Sequence, residues 1–296
     1  MRRSPPGVLL LNCKSTRVVS LATAKMNSNS PYERPDVIDL TGPDFDFISS
    51  EPARRTLLIC AGPRTGSFEL CRYLIAAGIG VPHEYFMSFF AARLAKRWGI
   101  FSDPLAEPTI GRYIELLRRR RSQGGVFAVK FGYSHFDHHL RNQHGATLFE
   151  GAQVVHLYRP DVARQYASVR LAIHTGMWDF SQRQTFQVRA EKRNASAASP
   201  LDLALSDLDK FLIEDAGLRR LFVLLGIRPL FFTSDELFQN PHNVVSRIAD
   251  SLGMPVDEAT LQEAIAHGAT YKRESKSQTK VPEFSNEFKE IAFKKP

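Results

Sequence analysis

This 296-residue sequence has few cysteines and no long hydrophobic run. Cys13, Cys60 and Cys71 form no CxxC pair, and no histidine at zinc-ligand spacing completes a site with them. So sparse a set is typical of thiols in a reducing compartment, and we therefore expect a cytoplasmic protein without disulfides. The best candidate for a membrane span, 221–225, is far shorter than the roughly 20 residues that a transmembrane helix needs, so no span is predicted.

Acidic side chains are absent before Glu33. This N-terminal segment contains basic residues, serines and a short apolar run, 7–11. We interpret residues 1–50 as a disordered or loop-like arm, because they show no core-forming period. Three further interpretations stay open for the N-terminal part: a transit-like segment, a poor signal peptide, or, for the residues before Met26, sequence upstream of the true start. Residues 51–296 are predicted to form one domain, since a hydrophobic content of 43% supplies one large core.

An excess of basic residues predicts an anionic partner. The sequence has 39 Lys and Arg residues against 31 Asp and Glu residues, a formal net charge of +8. Such a surplus attracts nucleic acid, an anionic surface or a small ligand rich in phosphate. Charge alone does not distinguish among these three.

Predicted strands and helices alternate along the chain. Short apolar runs typical of strands buried on both faces occur at Thr56–Ala61, Val126–Phe131, Gln153–Tyr158 and Pro229–Thr233. Helical patterns occur at Asp161–His174, Leu201–Leu225, Pro241–Leu252 and Glu258–His267. This alternation predicts an α/β protein with three layers, a P-loop-like fold in which helices flank a central parallel sheet.

The turn Gly62–Ser67 joins the first predicted strand to a helix. A buried strand, a tight turn and a helix start bring unpaired N–H groups and the positive end of the helix dipole together, which favours an anion. The nucleotide-hydrolase motif would need a lysine where Ser67 stands, and the spacing from Gly62 to Gly66 is one residue too short for it. Arg64 supplies a cation earlier in the turn. The alternative is a glycine-rich turn without a ligand.

The segment 58–86 resembles the start of the bacterial trehalose 2-sulfotransferase family and its nodulation-type relatives. That family has a phosphosulfate loop of the pattern Pro/Gln-Arg-Ser/Thr-Gly-Ser-Thr, followed by Gly-x-Pro-x-Glu-Phe/Tyr-Phe; the matching residues are 63–68 and 80–86. Phe68 departs from the pattern, because the family has threonine at its position. The resemblance implies PAPS (3′-phosphoadenosine 5′-phosphosulfate) as the sulfuryl donor.

Two later blocks are similar to sulfotransferases in the same order. His156–Ser168 resembles a strand, turn and helix in which an arginine and a serine bind the nucleotide 3′-phosphate, which implies these roles for Arg159 and Ser168. Phe232–Pro241 resembles a segment with a largely structural role. The resemblance implies that residues 51–296 form a sulfotransferase domain.

Sulfuryl transfer needs cations at the departing phosphate and a base for the acceptor hydroxyl, and it requires no metal. The resemblance implies that Arg64, Thr65, Gly66 and Ser67 bind the phosphosulfate, with Arg64 also catalytic. A helix with His135, His138 and His139 would be a weak metal candidate, since no zincin pattern accompanies it. We predict no metal.

Glu84 is the predicted general base, at a position that the resemblance also indicates. We expect its pKa to lie at or above that of a free carboxylate, raised by burial and lowered by Arg64. His83 is the rival base. Lys130, at a strand end, either lines the acceptor pocket with His83 or extends its ammonium group to solvent.

The predicted function is PAPS-dependent transfer of a sulfuryl group to a hydroxyl of a carbohydrate or glycolipid. One alternative is a nucleotide-dependent small-molecule kinase, against which the missing Walker lysine argues. The other is an inactive module of the same fold that binds a nucleotide or polyanion, which Phe68 favours. We expect no nucleic-acid partner and leave a homo-oligomer open. Arg118–Arg121 is interpreted as a solvated helix end, with a patch for an acidic partner as the alternative.

Overall fold

The computed structural model describes residues 40–47, 52–175 and 202–266. The interpretations of residues 1–39 fall outside these ranges, as do the terminal residues Leu201 and His267 of two predicted helices.

A five-stranded sheet forms the centre of the described residues, in the order β2-β3-β1-β4-β5. The strands are β1 (Arg55–Ala61), β2 (Ser122–Gln123), β3 (Val126–Phe131), β4 (Gln153–Tyr158) and β5 (Leu230–Thr233). Strands β1, β3, β4 and β5 run parallel, and the short edge strand β2 pairs antiparallel with β3. The carboxyl ends of the parallel strands therefore meet at one edge, where α/β proteins bind their ligands.

Helices lie on both faces of this sheet. They are α1 (Ser67–Ala76), α2 (Ser88–Arg97), α3 (Thr109–Arg120), α4 (Tyr133–His139), α5 (Gln143–Phe149), α6 (Val162–Thr175), α7 (Asp202–Leu225), α8 (Ser234–Gln239) and α9 (Pro241–Ser251), and residues 258–266 are also helical. Within the described ranges, no helix is long and apolar enough to cross a membrane.

Each face of the sheet has its own apolar layer. Residues of α1 and α9 pack against one face of β1, which presents Leu57 and Ile59. Residues of α2, α3 and α7 pack against the other face, which presents Leu58. Because side chains alternate between the faces of a strand, β1 in the middle of the sheet is buried throughout 56–61. The sheet and its two helical layers confirm the predicted three-layer α/β fold.

The four strands predicted from apolar runs are all present, and each bound lies within one residue of its predicted position. The predicted helices α6, α7 and α9 agree equally well. Helices α2, α5 and α8 were not predicted. In α2 a signal was present, because its buried residues Ala91, Leu94 and Ala95 recur at helical spacing.

The arginines at the end of α3 differ in their surroundings. Arg119 is 45% exposed, as predicted for a helix end. Arg121 is 0% exposed: its guanidinium donates hydrogen bonds to the carbonyl oxygens of residues 40–42 and pairs with Asp46 at 3.1 Å. The interpretation of Arg121 as solvated is therefore wrong, because the segment 40–46 supplies the acceptors that water would otherwise provide.

Candidate active site

The turn after β1 has the backbone of an anion site. Arg64 and Gly66 have positive φ angles, 63° and 90°, which direct the chain sharply into α1 at Ser67. A side chain at position 66 would place its Cβ 2.8 Å from the Phe238 ring, so this position requires glycine. No side chain among the described residues caps the start of α1. The first N–H groups of the helix and the positive end of its dipole are therefore available to an anion.

The segment after β4 contacts this turn, Gly62–Ser67, which we call the anion turn. Gln165 of α6 donates a hydrogen bond to the carbonyl oxygen of Pro63 at 2.7 Å, and Arg159 donates one to the carbonyl oxygen of Arg64 at 3.4 Å. The Arg64 guanidinium in turn donates through Nε to Ser168 Oγ at 2.9 Å. The structure thus brings Arg64, Arg159 and Ser168, predicted to bind one nucleotide, into one contact network.

Two guanidinium groups, those of Arg64 and Arg159, lie at the anion turn. Burial and the neighbouring Arg164 lower the pKa of Arg159, although the group stays charged because an arginine titrates far above neutral pH. Thr65 uses its hydroxyl inside the turn, where it donates to the carbonyl oxygen of Gly62 at 3.1 Å. The positive charges at the turn therefore come from arginine side chains. Thr65 uses its hydroxyl within the turn, so the group through which it can bind a ligand is its backbone N–H.

Glu84 lies next to the end of β3. Its carboxylate forms an ion pair with the ammonium group of Lys130, and the side chains are 14% and 3% exposed respectively. The backbone N–H of Lys130 donates to the carbonyl oxygen of His83 at 3.0 Å, which fixes the segment with Glu84 to the strand. Lys130 is therefore directed at Glu84, and the alternative in which it extends to solvent is wrong. Its role in acceptor binding stays a prediction.

The pKa of Glu84 is lowered. Burial acts to raise this pKa, but Lys130, with His135 and His83, outweighs burial and lowers it. The expected pKa at or above that of a free carboxylate is wrong, because the decisive cation is Lys130, which forms a direct ion pair, and not Arg64. Glu84 therefore stays ionised to lower pH than an ordinary carboxylate.

His83 makes contacts that disfavour it as a base. The backbone N–H of Glu84 donates to His83 Nδ1 at 2.7 Å, so the neutral ring has its proton on Nε2. The ring is 5% exposed, with centroid distances of 4.3 Å to Phe90 and 6.4 Å to Phe68. Because Nδ1 already accepts a hydrogen bond and Nε2 already holds a proton, neutral His83 is poorly arranged to take one from a substrate. The geometry favours Glu84.

Phe68 occupies the second position of α1, beside the anion turn. Its ring centroid lies 4.4 Å from Lys130 Nζ, within the range of a cation–π interaction. The family-typical threonine would offer a hydroxyl group at this point, whereas the ring attracts the ammonium group of Lys130. The backbone N–H of residue 68 is present with either side chain, phenylalanine or threonine.

The histidines of α4 bind separate partners. His135 Nδ1 accepts a hydrogen bond from the backbone N–H of Gly132 at 3.1 Å, and His138 Nδ1 donates one to the carbonyl oxygen of Ser134 at 2.6 Å. Burial lowers the pKa of His135 to about 4, which keeps this ring neutral at physiological pH. In the part of the chain that the structure describes, no group of three or more His, Cys, Asp or Glu residues is placed to hold a metal ion.

The anion turn, Glu84 and the Arg159–Ser168 segment all lie within one family match. The model of the Stf0 sulphotransferases matches residues 56–278, which is most of the chain. The chain belongs to the Stf0 sulphotransferase family. This membership supports the resemblance at the level of the superfamily, without selecting a trehalose-specific member.

Two solved structures are similar to this Stf0 sulphotransferase at low identity. One is a retinol dehydratase in complex with androsterone and the inactive cofactor PAP, with 15% identity, a TM-score of 0.34 and coverage of 76% of this chain and 66% of that chain. This chain therefore spans just under two thirds of the length of that protein. The other is the sulfotransferase domain of the Synechococcus PCC 7002 olefin synthase, with 15% identity, a TM-score of 0.37 and coverage of 84% and 98%. No sequence among curated proteins matches this chain.

Two contacts of this Stf0 sulphotransferase site were not predicted from the sequence. One is the hydrogen bond from Gln165 to the anion turn. Gln165 lies three residues before Ser168, so helical spacing could have indicated that both face the same way. The other is the pairing of Lys130 with Glu84, two residues 46 positions apart, for which the sequence offers no local signal.

Proposed function

We propose that this Stf0 sulphotransferase transfers the sulfuryl group of PAPS to a hydroxyl of a carbohydrate or glycolipid. The observation that carries the proposal is the hydrogen bond from Arg64 to Ser168 at 2.9 Å. It joins the anion turn to α6, next to the guanidinium of Arg159, so that two cationic groups serve one ligand. A nucleotide with phosphates at both its 5′ and 3′ ends suits such a site better than one with a single phosphate group.

In this proposal, the two ends of the donor bind different parts of the network. The 5′-phosphosulfate binds at the anion turn, to the N–H groups at 65–67 and to Arg64, while the 3′-phosphate binds Arg159 and Ser168. Guanidinium groups suit phosphates because their N–H groups form a planar fork of charged donors. The hydroxyl of Ser168 can donate to the phosphate while it accepts from Arg64.

The proposed reaction is an in-line displacement at sulfur. The acceptor oxygen forms a bond to sulfur as the bond from sulfur to the 5′-phosphate oxygen breaks, which leaves a sulfate ester and PAP. Glu84 accepts the proton of the acceptor hydroxyl, and Arg64 stabilises negative charge on the departing phosphate oxygen.

The proposed acceptor class is a carbohydrate or glycolipid. The resemblance of the segment 58–86 to the trehalose 2-sulfotransferase family supports this class. The partly exposed rings of Phe68 and Phe90 lie near the ring of His83, the residue before Glu84, and Phe89 packs against Phe90. Together they offer apolar surface for an amphipathic ring. A sugar can pack its apolar face on such rings while one hydroxyl reaches Glu84.

The proposed compartment is the cytoplasm. Cys60 and Cys71 are buried thiols. Burial raises the pKa of Cys60 well above its ordinary value, which makes this thiol unreactive. Two buried thiols are typical of proteins from a reducing compartment.

Binding and turnover, measured on the same preparation with PAPS, PAP, ATP and AMP, test the proposal. PAP and PAPS should raise the unfolding temperature far more than AMP or ATP; a ligand at 100 times its Kd adds about 2.7 kcal/mol of stability. With PAPS and trehalose or a glycolipid, PAP should form together with a sulfated product. Equal stabilisation by AMP and PAP would contradict the assignment of Arg159 and Ser168.

One second candidate has an observation in its favour. Phe68 replaces a hydroxyl that the family pattern places at the phosphosulfate, so an inactive nucleotide-binding module of the same fold would have the same contacts. That candidate predicts tight PAP binding and no sulfated product with any hydroxyl acceptor. Phosphorylated product from ATP would instead indicate a kinase.

A further inference from the structure

The ammonium group of Lys130 has two partners of different kinds. It pairs with the carboxylate of Glu84, and it lies 4.4 Å from the centroid of the Phe68 ring. The Lys130 side chain is 3% exposed, so both attractions act with little screening by water. A third charge close to the ammonium group will therefore change the strength of its attraction to Glu84 and to the Phe68 ring.

The position of Phe68 places Lys130 beside the anion turn. Phe68 is the second residue of α1, the helix whose first N–H groups face the proposed phosphosulfate site. In the sheet, Lys130 is also the register partner of Ile59 in β1, the strand that leads into the turn. An anion bound at the start of α1 would therefore attract the ammonium group of Lys130 in competition with Glu84.

We propose that Lys130 couples the anion turn to Glu84: binding of the nucleotide weakens the Lys130–Glu84 ion pair, and Glu84 then binds a proton more strongly. Lys130 is thus a positioning residue that acts through the base, and this role rests on the proposed function. Glu84 is a weak base while the turn is empty and a stronger one when the donor is in place.

The other groups around Glu84 agree with this role. Lys130 comes from β3, His135 from α4 and His83 from the same segment as Glu84, and Lys130 lowers the pKa of Glu84 most. Burial keeps His135 neutral at physiological pH, and His83 Nδ1 is bound to the backbone N–H of Glu84. Lys130 is therefore the direct ion-pair partner of Glu84 in this cluster, and its attraction is the one that an anion can redirect.

Proton uptake on PAP binding tests the coupling without any turnover. Calorimetric titration of the full chain with PAP, in two buffers of different ionisation enthalpy at mildly acidic pH, measures the protons taken up per PAP bound. The difference between the wild type and Glu84→Gln isolates the Glu84 carboxyl from the phosphates of PAP. We expect a net uptake by the wild type that Glu84→Gln loses.

The role of Lys130 in this uptake is tested with Lys130→Met. Without the ammonium group, Glu84 is already a stronger base before PAP binds, so the uptake assigned to Glu84 should shrink. Lys96→Met, which removes one charge from an exposed position on α2, should leave the uptake as in the wild type. Lys130→Arg keeps the charge and should retain the uptake, and it serves the test if Lys130→Met does not fold.

The outcomes separate this coupling from the function on which it rests. PAP binding with equal proton uptake in the wild type and Glu84→Gln would overturn the coupling and leave the proposed function intact. An undiminished uptake in Lys130→Met would show that the bound anion acts on Glu84 directly. Failure of PAP to bind would overturn the proposed function and the coupling with it.

Discussion

The anion turn at the end of β1 and the Glu84 cluster at the end of β3 lie at neighbouring strand ends, yet they are built differently. The turn offers backbone N–H groups, whose directions follow from two positive φ angles within three residues. The cluster consists of side-chain charges, Glu84 and Lys130, from positions 46 residues apart. The turn can therefore hold an anion by local geometry, whereas the charge of the cluster depends on the partner that each group has.

This difference has a chemical counterpart. Backbone donors keep their dipoles in every state of the protein, so they suit the permanent negative charge of a phosphosulfate. A carboxylate changes its proton affinity with its neighbours, so it suits a step in which a proton moves. Substitutions in the cluster should therefore affect turnover more than binding.

The largest expected effect is that of Glu84→Gln. The amide keeps the size of the side chain but cannot accept the proton, so kcat should fall on the order of 10²-fold or more. PAP should bind at least as tightly as it does to the wild type, because the anion turn is unchanged and Lys130 loses the carboxylate that competes with the nucleotide. Steady-state kinetics and calorimetry measure the two quantities.

Two controls accompany this variant. Glu115→Gln removes a carboxylate from an exposed position on α3 and should leave kcat unchanged. His83→Ala should retain more activity than Glu84→Gln. If His83→Ala abolishes turnover while Glu84→Gln remains active, the base is His83.

Arg64→Ala should have the next largest effect. The guanidinium acts on charge that develops on the leaving phosphate, and loss of one such donor typically lowers kcat by about 10²-fold. PAPS binding should weaken less, because the backbone N–H groups of the turn remain. Arg119→Ala, at an exposed position, is the matched control. Loss of affinity with kcat intact would make Arg64 a binding residue only.

Arg159→Ala should change the choice of nucleotide. A hydrogen bond to a charged group contributes roughly 1.5–3 kcal/mol, so PAP affinity should fall about tenfold or more. AMP lacks the 3′-phosphate, and its weak binding should hardly change. Competition binding of PAP and AMP to the wild type and the variant measures this; an equal loss for both nucleotides would place Arg159 at the 5′ end.

Phe68→Thr should have a small effect. It restores the family-typical hydroxyl and removes a cation–π contact worth about 0.5–1 kcal/mol at an exposed site and about 2 when desolvated. PAPS affinity should change only a few-fold, because the backbone N–H at this position is retained. A gain of turnover from an undetectable level would support the inactive-module candidate for the wild-type chain.

The smallest effect is expected from mild acid. The pKa of Glu84 is lowered, so its basic form exists above that lowered pKa and is lost only as the pH falls through it. The value of kcat/KM for PAPS reports the free enzyme and should decline at a lower pH than it would with an ordinary carboxyl group as the base. The coupling through Lys130 predicts that kcat, which reports the complex, declines at higher pH than kcat/KM.

The success of the sequence predictions divides in the same way. Features that depend on a local sequence pattern were predicted, and pairings between distant side chains were not. The strand β1 and the anion turn are local patterns, an apolar run followed by two glycines, and both were predicted where they lie. The place of Arg159 and Ser168 beside the turn came from the resemblance. Their contact with Arg64 agrees with it, and their roles in binding stay predictions.

The failures have physical reasons. Arg121 was interpreted as solvated because it ends a run of four arginines at a helix end, where the helix dipole favours cations, but its burial depends on acceptors in the segment 40–46. The pKa of Glu84 was expected to be ordinary or raised, because burial was foreseen and its pairing with Lys130 was not. In both cases the partner is distant in the sequence, and no residue pattern near the charge reveals it.

The contact between Arg121 and the carbonyl oxygens of residues 40–42 also bears on the synthesis of the chain. A ribosome releases residues 40–42 first, and Arg121 follows 79 to 81 positions later. During this interval the carbonyl oxygens are hydrated, and the guanidinium that will replace the water has not yet been translated. The segment 40–46 therefore leaves the ribosome well before its partner, and it can dock only after the end of α3 has emerged.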